Sequence, residues 1–138
     1  MIENNPTMRV LGLLIAVIFA AKTATAGDAF KQNGAKIYQT HCTVCHQDDG
    51  GGVPMMQPEL IGSPIVLGDK PALIDMVFFG SDSKSALGGF SNRMAGFDFL
   101  KDAELAALLT YIRSSFGNQA PAVSVQDVAA YRQKVQKK

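Results

Sequence analysis

Both cysteines and both histidines of this 138-residue chain lie within six consecutive residues, HCTVCH at positions 41–46. Cys42 and Cys45 have the C-x-x-C spacing, which occurs in redox-active disulfides, in zinc sites and at the attachment sites of a covalently bound cofactor. A disulfide would suit a chain in an oxidising compartment. Zinc would need a fourth ligand beyond the two thiolates and His46, and His41 is too close in sequence to be a comfortable one.

The histidine directly after the second cysteine favours the cofactor. Cys-x-x-Cys-His is the attachment signature of c-type haem, in which the two cysteines bond to the porphyrin's vinyl groups and a short helical turn aims the histidine ring at the iron. The pattern therefore predicts one haem c, bound covalently through Cys42 and Cys45, with His46 as an axial ligand of the iron. A thiol–disulfide protein is the alternative, and it would have free thiols and no haem absorption.

The first 26 residues have the features of an export signal. Arg9 precedes an apolar run of 12 residues from Val10 to Ala21, and Ala24-Thr25-Ala26 provides small residues for cleavage. The run is short for a bilayer span. We therefore predict a signal peptide over 1–26, cleaved after Ala26, with a periplasmic mature protein and no membrane span after cleavage. An uncleaved N-terminal anchor is the alternative.

Charge on the mature chain is balanced but uneven. Without residues 1–26 it has 11 basic and 11 acidic side chains, and four of the basic ones lie among the last seven residues. The remaining body is acidic and offers no broad basic face to phosphates, so we expect no nucleic-acid partner. With 47% hydrophobic residues the chain can bury a core.

Helix signals outnumber strand signals along the mature chain. Helices are expected over 29–40, 71–79 and 102–115, the last because its leucines recur at i, i+3, i+4 and i+7. Gly80 and Gly117 are expected to end the second and third of these helices. No segment alternates convincingly with the period of a strand. The sequence therefore predicts an all-α fold.

Further segments match a known family. They are Gly34-Ala35-Lys36-Ile37-Tyr38, Pro58-Glu59-Leu60-Ile61-Gly62-Ser63, Met94-Ala95-Gly96-Phe97 and 110–118. With the haem signature they make the chain resemble the class I c-type cytochromes, most closely the bacterial monohaem domains associated with periplasmic dehydrogenases and reductases. The resemblance implies a small cytochrome c fold, with about four to five helices wrapped around one covalently bound haem. We assign 27–118 to this core and 119–138 to a C-terminal helical extension with a basic tail.

The resemblance also implies roles for individual residues. Pro58 would offer its backbone carbonyl to the ring nitrogen of His46 that does not face the iron, which fixes the orientation of the ring. Leu60 would pack against the porphyrin. Gly34 and Tyr111 would meet where the first and last long helices cross.

A methionine is expected as the second axial ligand. Met55 and Met56 follow the haem signature too closely, and Met76 belongs to an apolar helical run that is more typical of a core. Met94 lies in a glycine-rich loop before the last long helix, from which it can turn inward, so we predict that it ligates the iron. The family often has proline where this chain has Ala95, which makes a looser loop possible. A His/Met pair raises the potential and suits outer-sphere electron transfer.

These features predict a one-electron carrier without catalytic residues. The resemblance implies a quinoprotein or flavin dehydrogenase as donor and a terminal oxidase or reductase as acceptor, and the chain could be the electron-accepting subunit of such a dehydrogenase. The alternative is a haem protein with an open or labile sixth position that binds small ligands or has weak peroxidase activity. No second histidine flanks the expected distal loop to support bond cleavage, which favours the carrier.

Overall fold

The computed structural model describes residues 25–137, so the predicted signal peptide, apart from its last two residues, lies outside the described residues. Six α-helices follow one another: α1 (Ala26–His41), α2 (Thr43–His46), α3 (Pro64–Leu67), α4 (Lys70–Phe79), α5 (Asp102–Ser114) and α6 (Val125–Gln136). A 3-10 turn, Gly80–Asp82, follows α4. Among residues 25–137 the only β pairing is an isolated bridge between Val53 and Gln57. The all-α prediction is confirmed, and the helices outnumber the expected four to five because α2 and α3 are single turns of four residues.

The start of α1 is defined by a reciprocal cap. The Thr25 hydroxyl accepts the backbone N–H of Asp28 at 3.3 Å, and the Asp28 carboxylate accepts the backbone N–H of Thr25 at 3.0 Å. These bonds satisfy donors that the first turn of a helix leaves without partners. The helix therefore begins at Ala26, three residues before the expected start at position 29.

Of the two glycines that were predicted to end helices, one does so and the other does not. Gly80 ends α4 with a φ of 61°, as expected. In α5 the helix ends at Ser114, and Ser115 is already extended, so Gly117 does not provide the C-cap. The reason is Asn118, whose side-chain amide donates to the carbonyl of Ile112 at 3.0 Å and satisfies the end of the helix. Gly117, with a φ of 80°, turns the chain beyond this point.

The crossing of α1 and α5 forms the centre of the fold. A Cβ atom placed on Gly34 would lie 2.1 Å from the carbonyl oxygen of Ala107 and 2.8 Å from the Cβ of Tyr111, so only glycine fits between the two backbones. The predicted contact of Gly34 with Tyr111 is confirmed. Tyr38, Leu105 and other fully buried side chains pack around this crossing.

A buried arginine connects α5 with the segments beside it. Arg113 is only 2% exposed, and its guanidinium donates to the carbonyls of Val66, Gly68 and Pro121 at 2.7 to 2.9 Å. Burial lowers its pKa, but three carbonyl acceptors compensate for the loss of water. The last helix, α6, packs against both α5 and α4. Within residues 25–137, no helix is both long enough and apolar enough to cross a membrane.

Candidate haem-binding site

One largely apolar cleft brings together all the residues predicted to bind the cofactor. Cys42, Cys45, His46, Pro58, Leu60 and Met94 all line it. Its other walls come from α4, from α5 and from the chain between positions 86 and 97. The sequence placed these six residues in three separate segments, and the fold gathers them at one site.

The haem signature forms the tight turn that the sequence predicted. The backbone N–H groups of Cys45 and His46 donate to the carbonyl of Cys42 at 3.1 and 2.8 Å, which begins α2. Cys42 is buried, Cys45 is exposed, and the two thiols are not joined to each other. Burial raises the pKa of Cys42 to about 12, so its thiol is neutral at physiological pH. A neutral, buried first cysteine is a poor nucleophile, which argues against the thiol–disulfide alternative.

The ring of His46 is held in the orientation that a metal ligand requires. Its Nδ1 lies 3.0 Å from the backbone oxygen of Pro58, as the resemblance implies. Because a carbonyl can only accept, Nδ1 carries the proton and Nε2 keeps its lone pair. Burial lowers the pKa of His46, and the bond to Pro58 offsets this only in part. The ring is therefore neutral and can coordinate a metal through Nε2.

A glycine-rich loop places the Pro58 carbonyl beside the ring. Gly52 has a φ of 63°, and a Cβ atom there would lie 2.6 Å from the Pro58 oxygen, so a side chain would displace the acceptor of His46. The Gly52 N–H donates to the carbonyl of His46 at 3.1 Å. The N–H of Leu60 donates to the carbonyl of Gly50 at 2.7 Å, which leaves the half-buried Leu60 side chain at the cleft.

Met94 is fixed through its backbone by a residue that the sequence analysis did not single out. The N–H of Met94 donates to the Ser81 hydroxyl at 2.8 Å, and the carbonyl of Met94 accepts the Ser81 N–H at 3.0 Å. Phe97 N–H donates to the carbonyl of Val77 at 3.0 Å. Gly80 permits this approach, because a Cβ atom there would lie 2.3 Å from the Met94 oxygen. The position of Ser81 directly after the helix-ending Gly80 was the one sign of a special role in the sequence. It could not identify Met94 as the partner, because Met94 lies 13 residues further along the chain.

The remaining methionines lie in different environments. Met55 and Met56 are exposed, and neither lines the cleft among the described residues. Met76 was expected to be core, yet it is half-buried and lines the same cleft as Met94. It projects from α4, whose apolar run forms a wall of the cleft on one face and core on another.

Two polar residues, His41 and Arg93, lie at the rim of the cleft. His41 is exposed, and its ring packs edge-on against Phe97 and Phe99 at centroid distances of 5.9 and 5.7 Å. Arg93 forms an exposed ion pair with Asp82. These contacts hold both side chains at the surface and do not direct them into the cleft.

The cleft fits a c-type haem in its chemistry. It is lined mainly by apolar side chains, it holds two unpaired thiols three residues apart, and it has a neutral imidazole with a free Nε2. The Oε1 atom of Gln57 is buried at this cleft without a hydrogen-bond partner among residues 25–137. That oxygen needs a donor, which the carboxylates of a haem do not supply at neutral pH, so the fit to haem rests on the thiols, the imidazole and the apolar walls.

Known proteins with similar sequences agree with this chemistry. The family profile described as Cytochrome c matches residues 31–116. Cytochrome c-552 of Thermus thermophilus is 34% identical over 92 residues, which cover 62% of this chain and 70% of that protein. The alcohol dehydrogenase (quinone), cytochrome c subunit of Gluconobacter oxydans is 37% identical over 109 residues, covering 72% of this chain but 22% of the relative.

A gluconate 2-dehydrogenase cytochrome c subunit from Pantoea cypripedii is 33% identical over 117 residues, covering 81% of this chain and 26% of the relative. The chain thus spans about a quarter of the length of the dehydrogenase subunits that it matches. The family membership is shown without these longer proteins, because the family profile matches residues 31–116 and the aligned region covers 70% of cytochrome c-552. The chain therefore belongs to the cytochrome c family, and its cofactor is a covalently bound haem c.

Proposed function

We propose that this chain is a periplasmic carrier that takes one electron from a dehydrogenase and passes it to a terminal oxidase or reductase. The observation that carries the proposal is the single cleft lined by the haem signature and by Met94. The haem, when bound, supplies reversible one-electron exchange between ferric and ferrous iron. Two relatives that are named cytochrome c subunits of alcohol and gluconate dehydrogenases support a dehydrogenase as the donor.

In this proposal Cys42 and Cys45 would hold the porphyrin as thioethers, and His46 and Met94 would ligate its iron. The Pro58 carbonyl orients the His46 ring, and Leu60 packs on the porphyrin face. The thioether of Met94 is a soft, neutral donor that favours ferrous iron and raises the potential. Ligation by both His46 and Met94 would leave the iron no open position for a substrate, which favours electron exchange over catalysis.

The same proposal includes export. Residues 1–26 act as a signal peptide, 27–118 form the cytochrome core and 119–138 form the C-terminal extension. Thioether formation by Cys42 and Cys45 then takes place after export. Intact mass or N-terminal sequencing of the isolated protein is expected to give a chain that begins at Gly27. A product that retains Val10 to Ala21 would instead indicate an anchored cytochrome.

Attachment is tested by denaturing electrophoresis with staining for haem peroxidase activity. We expect the stain on the band of the mature protein, and we expect its loss when both cysteines are replaced, in Cys42→Ala/Cys45→Ala. Haem that is extracted from the wild-type protein by acidified organic solvent would contradict covalent attachment.

The carrier function is tested with the ferric protein and a purified quinone-dependent alcohol or gluconate dehydrogenase. Addition of the reduced dehydrogenase should convert the ferric spectrum to the ferrous spectrum, and a terminal oxidase should reverse it. Chemical reduction by a small reagent is the control for competence of the haem. A ferrous wild-type protein that binds carbon monoxide readily, and that neither dehydrogenase reduces, would favour the ligand-binding alternative.

A further inference from the structure

The C-terminal helix is connected to both ends of the segment that carries Met94, directly at one end and through Asp75 of α4 at the other. We name residues 83–101, between the 3-10 turn and α5, the Met94 loop. The two contacts come from adjacent residues of α6, Tyr131 and Arg132. Both lie beyond residues 31–116, the part of the chain that matches the family profile.

Tyr131 acts at the first end of the loop through a carboxylate of α4. The side chain of Asp75 accepts hydrogen bonds from the hydroxyls of Tyr131 and of the buried Ser83. The N–H of Ser85 donates to the Ser83 hydroxyl at 2.9 Å. Burial alone would raise the pKa of Asp75, but these hydrogen bonds together lower it, so the carboxylate stays charged.

Arg132 acts at the other end of the loop. Its guanidinium donates to the carbonyl of Asp98 at 2.9 Å, to the carbonyl of Leu100 at 2.7 Å and to the Asp102 carboxylate at 2.7 Å. It also lies 4.9 Å from the ring centroid of Phe78 in α4. A planar guanidinium with several donors fixes the relative positions of its acceptors, which lysine cannot do. These bonds hold the last residues of the loop against the start of α5.

Between these ends, residues 91–97 are hydrogen-bonded to the rest of the fold, whereas residues 87–90 make no such bond among the described residues. Gly88 and Gly89 have open space where a Cβ atom would be, and Leu87 is 49% exposed. Met94 is bonded to Ser81, and the chain before it is tied to Met55 by the N–H of Ser91 at 3.0 Å. Glycine-rich segments lose much conformational entropy when they become ordered. Fixing both ends reduces the set of conformations in which Met94 lies away from the cleft.

We propose that Tyr131 and Arg132 are positioning residues that hold the Met94 loop closed, so that α6 controls how readily Met94 leaves the iron. The inference rests on the proposed ligation by Met94. It gives the C-terminal segment a role in setting the potential and the ligand reactivity of the haem.

The test compares Tyr131→Phe, Arg132→Gln and Ser83→Ala with wild-type holoprotein. Tyr131→Phe removes only the hydroxyl, and Ser83→Ala breaks the same junction from the loop side. Lys70→Met is the matched control, because Lys70 pairs with Asp127 of α6 at 2.9 Å and has no bond to the loop. Arg132→Lys keeps the charge but not the fork of donors, so it should rescue Arg132→Gln only in part.

Three measurements are made on each folded variant: the thioether-to-iron absorption band of the ferric protein, the midpoint potential and the rate of carbon monoxide uptake by the ferrous protein. For the three loop-anchor variants we expect a weaker band, a lower potential and uptake at least tenfold faster than wild type. Lys70→Met should stay within twofold of wild type. A loss of helix stability alone would change all four variants alike and would overturn the inference.

Amide hydrogen exchange over residues 83–101 separates this inference from the ligation on which it rests. Faster exchange in the anchor variants than in Lys70→Met supports the positioning role. Unchanged exchange with unchanged band, potential and uptake overturns it. If Met94→Ala leaves the spectrum of the wild-type protein unaltered, ligation by Met94 is wrong and the control of iron reactivity by α6 falls with it, whatever the exchange data show.

Discussion

Ser81→Ala is expected to loosen Met94 while the other residues of the cleft wall stay unchanged. The substitution removes the hydroxyl that accepts the Met94 N–H at 2.8 Å, while the Ser81 N–H can still donate to the Met94 carbonyl. Met94 N–H is then left without a partner in a half-buried position. Leaving such a group unsatisfied costs about 1–3 kcal/mol.

The cost should appear as local opening of the loop. Because Ser81 and Met94 both belong to the cleft wall, detaching Met94 lets its N–H reach water and relieves the penalty. A shift of about 1–3 kcal/mol raises the population of the detached state by about 5–150-fold. If carbon monoxide binds only when Met94 has left the iron, its uptake should accelerate by the same factor.

The assay is carbon monoxide uptake by the ferrous protein, followed by stopped-flow absorbance, together with thermal unfolding. Ser91→Ala is the control, because Ser91 lies exposed in the Met94 loop and bonds to Met55 through its backbone N–H, which the substitution keeps. Uptake by Ser81→Ala at the wild-type rate, with a lowered unfolding temperature, would show that the bond stabilises the fold as a whole and does not govern Met94.

Three further predictions concern the ligand, the helix crossing and acid stability. Met94→Ala should abolish the thioether-to-iron band and lower the potential, and retention of the band would refute the assignment. Met76→Ala should keep the band and cost less than the about 2–5 kcal/mol of a fully buried methionine, because Met76 is half-buried. Gly34→Ala should destabilise by about 1–3 kcal/mol in denaturant unfolding despite its better helix propensity, because the Ala107 carbonyl cannot move aside, and a stabilised variant would show that the crossing adjusts. Hydrogen bonds within the α6 cap and to Lys70 lower the pKa of Asp127 to about 2 from its ordinary 3.8; its stabilising contribution should be full above the ordinary value and vanish as pH falls through about 2, so Asp127→Asn should lack this part of the acid dependence.

Local patterns in the sequence were sufficient for the long helices and for the cofactor. The leucine repeat, Pro71 and Gly80 act within a few residues of the helices that they define, and the haem signature is complete within one turn. A glycine inside a helix is unfavourable unless another backbone lies against it, which indicated a close contact at Gly34, and the family resemblance supplied Tyr111 as its partner.

Contacts between distant segments could not be predicted in this way. Ser81 and Met94 meet because α4 ends beside the loop, and Arg132 meets the carbonyl of Asp98 across a separation of 34 residues. Backbone carbonyls are present at every position, so the sequence gives no sign of which one an arginine will contact. Met76 illustrates a related problem. An apolar run in a helix predicts that a side chain is covered, but it does not tell whether the protein core or a cofactor covers it.

The hydroxyl of Thr25 that begins α1 lies on the signal side of the predicted cleavage site. Cleavage after Ala26 would therefore give the precursor and the exported protein different beginnings to the same helix. The precursor has the cap formed by Thr25 with Asp28, whereas the exported protein has the ammonium group of Gly27 at the positive end of the helix dipole. Loss of an N-cap costs about 0.5–2 kcal/mol, so processing would leave the first turn of α1 frayed and open to aminopeptidases.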